Sequence, residues 1–305
     1  MSIIEKALQR KAEQQQGVEP GTTEQEKFNQ PSKADLIVES VEHQATKSNT
    51  NTAQDNNDFD HDSNSVNLDL LSLEQQGFVS LSSQRRLINE EYRVVKRKLI
   101  NNAFGTLAKT LHHPNLILVS SSRPGEGKTF SSINLALSIA LEQDKTVLLV
   151  DADVLRPKVA KTLGVANQLG LTDYLLSEDV SVSDILLNTN VPRLKLITAG
   201  SPHHLSTELL ASDRMLKLAA EFANRYADRI VILDAPPLLG VNETAVLAAM
   251  CGQGVVVVEE NRSRIAEIEQ SVALLPKQMA VGFLINKAHR NQGKGYGYGY
   301  YYGAG

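Results

Sequence analysis

The chain has 305 residues, 42% of them hydrophobic and 22% charged, which is enough apolar material for one sizeable α/β domain with tails. A formal net charge of -4 excludes a protein that coats nucleic acid through a strong basic excess, and the single cysteine, Cys251, excludes an intrachain disulfide and should pack as a small hydrophobe. No stretch approaches the run of about 20 apolar residues that spans a bilayer, and the start MSIIEKALQRKAEQQ lacks a signal peptide's apolar core, so a cytoplasmic location is expected.

Residues 1–67 read as a short amphipathic helix followed by a disordered linker. Ile3, Ile4, Ala7 and Leu8 fall on one helical face, with Glu5, Lys6, Gln9 and Arg10 opposite. From Gln14 to Ser65 the chain is polar and has no apolar period. His43, His61 and their acidic neighbours Asp58, Asp60 and Asp62 lie in this tract, where flexible backbone does not preorganise metal ligands.

A single domain is expected over 68–289. Residues 84–110 predict a charged helix, with Leu87, Glu91, Val94, Val95 and Leu99 at helical spacing. Six β-rich runs follow, at 116–121, 147–153, 194–199, 230–236, 255–259 and 281–286, each separated by a segment of helical period. Runs that are near-continuous in Val, Ile and Leu suit strands buried on both faces, and their alternation with helices predicts a mainly parallel sheet with helices on both sides.

Directly after the first run comes SSRPGEGKTF, opening a helix. Gly125 and Gly127 let backbone N–H groups turn onto phosphate oxygens, Lys128 can reach the outer phosphates, and Thr129 can ligate magnesium. The strict motif has glycine at 122 where this chain has Ser122, but the strand-to-helix context carries the reading of a P-loop NTPase fold. ATP and Mg2+ are the expected cofactors, bound by Gly125, Glu126, Gly127, Lys128, Thr129 and Phe130. Asp151 and Asp153 close the second run and Asp234 closes IVILD, the strand ends where an open parallel sheet binds ligands. Three acids there call for a cation. Thr129, Asp151 and Asp234 are the expected metal set, with Lys128, Asp151 and Asp153 catalytic and Asp151 the preferred catalytic carboxylate.

VLLVDADVLRP followed by IVILDAPP resembles the second Walker A and Walker B elements of bacterial tyrosine kinases, a family descended from partitioning-type P-loop ATPases. EEYRVVKRKLINNAFG and MSIIEKAL resemble the branch at exopolysaccharide and PEP-CTERM loci. The resemblance implies a tyrosine autokinase regulating exopolysaccharide chain length or export. It also implies a subunit-contact motif at Glu90, Arg93 and Lys96, a homo-oligomeric ring, and a nucleotide-base contact at Asn286. A membrane-bound polysaccharide co-polymerase-type activator on a separate chain would recruit the kinase to the inner face of the membrane. This chain departs from the family in two places: Arg156 comes one residue later than the family's arginine, and Lys96 lacks that residue's bidentate fork.

The tail 290–305, RNQGKGYGYGYYYGAG, holds five of the eight tyrosines, Tyr296, Tyr298, Tyr300, Tyr301 and Tyr302, interleaved with glycine. They are the expected phosphoacceptors, in a flexible segment long enough to enter a neighbouring active site. The other reading open at this point is a partitioning or positioning ATPase switch without protein phosphorylation. Such ATPases carry a signature lysine where this chain has Arg123. No nucleic-acid partner is expected.

Overall fold

A computed structural model describes residues 64–82, 86–166 and 168–289, which belong to the chain's compact unit Asp58–Gly305. The expected N-terminal helix, most of the linker and the tyrosine tail lie outside the described residues.

All six β-rich runs form strands. They are β2 (Leu116–Ser121), β3 (Thr146–Asp151), β5 (Leu194–Ile197), β6 (Arg229–Asp234), β7 (Gln253–Glu259) and β8 (Ala280–Asn286). Two short strands join them at one edge, β1 (Ser65–Val66) and β4 (Leu187–Thr189), giving the order β1-β4-β5-β3-β6-β2-β7-β8. Every pairing is parallel except β4 with β5. The C-terminal ends of β2, β3, β6, β7 and β8 therefore all emerge on one rim.

Period-2 alternation divides the core between the two faces. Leu118, Leu148, Val150, Val231 and Leu233 join the apolar cluster containing Leu171, Met215, Leu218 and Leu247. These come from helices α5 (Leu171–Leu176), α8 (Asp213–Asn224) and α9 (Glu243–Met250). Ile117, Val119, Val147, Leu149 and Ile232 join the opposite cluster, beneath α2 (Leu87–Phe104) and α3 (Lys128–Ala140). The shorter helices are α1 (Leu70–Gln75), α4 (Val159–Leu163), α6 (Val182–Ile185) and α7 (Ser206–Leu210), and α10 (Ile265–Ala273) follows β7.

Two features differ from the sequence expectation. The helix expected over 84–110 ends at Phe104, and after Gly105 the chain tightens into a 3-10 turn at Thr106–Thr110. The buried face of α2 is Tyr92, Lys96, Leu99 and Ala103, whereas Leu87 and Val94 are exposed. Strand β8 is also not covered on both sides among the described residues. It is an edge strand, and Phe283 and Ile285 stand exposed on it at 56% and 65%.

Lys96 bears on the assembly reading. Its ammonium is buried, donates to the Ser138 carbonyl at 2.6 Å and pairs with Glu142 at 2.7 Å. Glu90 and Arg93 pair with each other on the exposed side of the helix at 2.8 Å. The grouping of Glu90, Arg93 and Lys96 on one contact face is thus corrected for Lys96, which clamps α2 onto α3. Lys96→Met is expected to cost about 1–3 kcal/mol, because the Ser138 carbonyl loses its charged donor. Chemical denaturation would measure the loss; unchanged stability with altered assembly would restore Lys96 to the contact face.

Candidate active site

The loop between β2 and α3 is held by two glycines, by the Glu126 side chain and by bonds to residues after β7, at the end of β8 and on α10. Gly125 and Gly127 sit at φ +91° and +101°, the left-handed region that suits glycine. A Cβ on Gly127 would lie 1.9 Å from Nδ2 of Asn286. Gly127→Ala is accordingly expected to lower nucleotide affinity at least about tenfold through backbone strain and displacement of Asn286. Titration calorimetry with ADP would check this, and unchanged affinity would contradict it.

The Glu126 side chain turns its carboxylate into the protein. It accepts from the Arg123 amide at 2.8 Å and from the Ser263 hydroxyl. Its carbonyl accepts from the Asn286 amide group at 2.8 Å. Lys287, at φ +55°, donates to the Gly125 carbonyl at 2.8 Å and pairs with Glu259 at 3.0 Å. The ends of β7 and β8 thus brace the loop from one side. Ser122 replaces the motif's first glycine without strain. It is absent from the positive-φ residues, and its hydroxyl accepts from Ser271 of α10 at 2.9 Å. The Arg123 guanidinium is held by two hydrogen bonds to Glu267 of the same helix, at 2.8 and 2.9 Å.

The helix start brings the expected chemistry together. Lys128 pairs with Asp153 at 2.8 Å and reaches Asp234 at 3.5 Å. Asp234 is fully buried and accepts from Thr129 at 2.7 Å and from Ser132 at 3.0 Å. Asp151 lies beside Asp234 in the β3–β6 register and accepts from the amides of Val159 at 2.9 Å and Lys158 at 3.1 Å. Ser132 was not among the expected residues, although its place one turn after Thr129 on the same helix is the signal that identifies it.

These groups perturb one another. Burial, reinforced by the Asp234 charge, pushes the Asp151 carboxyl up to about 7. Burial also raises Asp234, against the pull of Lys128 and the two hydroxyls. For Lys128, burial lowers the ammonium's pKa, but the surrounding carboxylates outweigh it and the net shift is upward. One lysine among three buried acids leaves the site short of positive charge.

Among the described residues, no group of three or more His, Cys, Asp or Glu side chains is arranged to hold a metal alone. The donors that are present suit magnesium, which needs one or two protein oxygens and completes its shell with water and phosphate. Thr129 and Asp234 already share a hydrogen bond, and the acid-rich cluster would gain from a divalent cation.

Two openings flank the loop. One, of about 410 Å3, is lined by Gly125, Lys128, Asp153, Arg156, Pro236 and Pro237. The other, of about 530 Å3, runs between α2 and β8 and includes Tyr92, Phe130, Phe283 and Asn286. Phe130, expected at the nucleotide, packs its ring 4.8 Å from Phe78 and faces this second groove. Asp153 faces the first opening, whereas Asp151 is absent from its lining and is closed from solvent by the α4 amides. Cys251 is buried in the apolar core, as expected, with its thiol pushed up to about 12 by burial. No helix among the described residues is long and apolar enough to cross a membrane.

A family model described as an AAA domain matches residues 115–270, just over half of the chain. The chain is 38% identical over 161 residues to a putative tyrosine-protein kinase, EpsB, of Ralstonia nicotianae, covering 53% of this chain and 21% of that one. It is 29% identical over 215 residues to the tyrosine-protein kinase YwqD of Bacillus subtilis, covering 70% of this chain and 86% of the other. The chain thus spans about a fifth of the EpsB relative but most of YwqD. Its fold is similar to the kinase domain of the Escherichia coli tyrosine kinase ETK, with 25% identity and a TM-score of 0.57, over 75% of this chain and 91% of that one.

Proposed function

The chain belongs to the AAA domain family, and on that premise we propose that it is an ATP- and magnesium-dependent protein-tyrosine autokinase whose acceptors are Tyr296, Tyr298, Tyr300, Tyr301 and Tyr302. The observation that carries the reading is Lys128, held between Asp153 and Asp234 at the mouth of an opening that Asp153 also lines. The resemblance to named tyrosine kinases supports the choice of phosphoryl transfer over nucleotide switching.

The amides of the Gly125–Thr129 loop and the Lys128 ammonium would bind the phosphates, with Asn286 at the base. Thr129 and Asp234 would hold magnesium, Asp151 lying behind them. The ion supplies charge neutralisation on the phosphates. Asp153 faces the opening through which a tyrosine can enter, so it is the better placed carboxylate to orient the phenol and take its proton as the phenolate oxygen bonds to the γ-phosphorus and the bond to the β-phosphate oxygen breaks. This shifts the catalytic carboxylate from Asp151, the sequence preference, to Asp153. In the partitioning-ATPase reading, position 123 carries the signature lysine; here Arg123 is occupied by Glu267 within the same chain, which favours the kinase.

The activator in this proposal is a membrane-bound polysaccharide co-polymerase-type protein on a separate chain. It would recruit the kinase to the inner membrane face, where a homo-oligomeric ring regulates exopolysaccharide synthesis or export. The test is to incubate purified protein with magnesium and ATP and follow ADP release and phosphotyrosine together. Phosphotyrosine formation that depends on Asp153 supports the kinase. Steady ADP release without phosphotyrosine, even with candidate activator fragments added, would favour the switch.

A further inference from the structure

At the end of the sheet opposite the loop, β6 begins at Arg229, paired in register with Thr146, the first residue of β3. Arg229 is only 8% exposed. It borders a cavity of about 350 Å3 walled by Val182, Leu186, Phe222 and Tyr226, whose rim also carries the paired Glu221 and Arg225, and a smaller one of about 140 Å3 that Thr146 also lines. Its guanidinium carbon lies 3.7 Å from the centre of the Tyr226 ring. Its Nε has no hydrogen-bond partner among the described residues, and neither has the buried Thr146 hydroxyl.

The adjacent arginine makes the contrast. Arg225 also approaches the Tyr226 ring, at 5.6 Å, but it is exposed and its charge is met by Glu221. Among the described residues, no carboxylate comes within the 4.0 Å of an ion pair with Arg229. Asp228 attracts the guanidinium from beyond ion-pair distance and the stacked Tyr226 ring offsets part of the cost of burial, but the buried Nε is left without an acceptor. Burial accordingly pulls the Arg229 pKa below its usual value, although an arginine stays charged.

We propose that this cavity is a second ligand site, which takes a small anion on an aromatic or apolar body. The guanidinium of Arg229 anchors the anion's oxygens and Val182, Leu186 and Phe222 receive the body. The volume is near the lower end of the range of about 300–1,000 Å3 for small-molecule sites, which limits the ligand to roughly one ring. A carboxylate and a phosphate would use the same fork. The site lies at the opposite end of β6 from Asp234, so its ligand is distinct from the nucleotide.

Titration calorimetry of the full chain with benzoate and phenyl phosphate tests the proposal, with inorganic phosphate and neutral benzyl alcohol as comparisons. At least one aryl anion is expected to bind with one-to-one stoichiometry, about tenfold or more tighter than both comparisons, and the stronger of the two identifies the anion as carboxylate or phosphate. Arg229→Lys, which keeps the charge but loses the fork, is expected to weaken it about tenfold. Val182→Trp, which fills the cavity from its rim, is expected to abolish it, with ADP affinity unchanged in both variants. Absence of binding by either aryl anion, or binding that survives both substitutions, would overturn the proposal.

Discussion

Replacing Lys128 with methionine is expected to lower the initial rate of phosphotyrosine formation by about 10²- to 10³-fold or more, the scale seen when one preorganised charge donor is removed from a reacting oxygen. The methylene stem is kept, so the loss isolates the ammonium. That ammonium has two duties in the resting site, pairing with Asp153 at 2.8 Å and with Asp234 at 3.5 Å. Removing it leaves acids facing one another in a buried site, which costs a few kcal/mol when a buried pair loses one partner. The variant should therefore also melt earlier without nucleotide. A rate near that of the natural chain would contradict the assignment, and circular dichroism would show whether a slow variant is still folded.

The second large effect is on pH dependence. The Asp151 carboxyl is raised from 3.8 to about 7, so the folded chain holds this proton more tightly than the unfolded chain does. Stability is then highest where the group is protonated in both states. It falls as pH rises from about 4 to about 7, where only the folded state keeps the proton, and levels off above. Asp234 is shifted the same way by burial and adds to the slope. Asp151→Asn is expected to reduce that slope and to stabilise the metal-free chain near pH 8, while lowering kinase activity. Denaturant melts across this range would check the sign. Stability that rises with pH through the window in the natural chain, or a slope unchanged in the variant, would contradict it.

Much of the fold was legible because the parallel strands are long apolar runs that need no partner to be recognised. The exceptions have physical causes. Strands β1 and β4 have two and three residues, too short to show a period. β8 reads like the others, yet among the described residues it lies at the sheet edge, which its composition does not encode. On α2, charge misled. Lys96 looks like a surface residue, but its stem crosses α3 and its ammonium finds a helix-end carbonyl and Glu142.

The candidate site was legible where residue type coincides with a helix start, as at Lys128 and Thr129, or with a strand end, as at Asp151, Asp153 and Asp234. Sequence could not order the acids by access. Asp151 and Asp153 alternate along the chain, but only the fold shows that the α4 amides enclose the first and the opening meets the second. Nor could it assign the Glu126 side chain, whose partners are Arg123 within the loop and the sequence-distant Ser263.

In the proposed reaction this site phosphorylates the chain's own C-terminal tyrosines. Its most direct test is mass spectrometry of the C-terminal peptide after incubation with magnesium and ATP, with Lys128→Met as control. Phosphate is expected on one or more of Tyr296, Tyr298, Tyr300, Tyr301 and Tyr302 in the natural chain and none in the control. An unmodified tail in the presence of an activating membrane-protein fragment, with ATP still consumed, would contradict it.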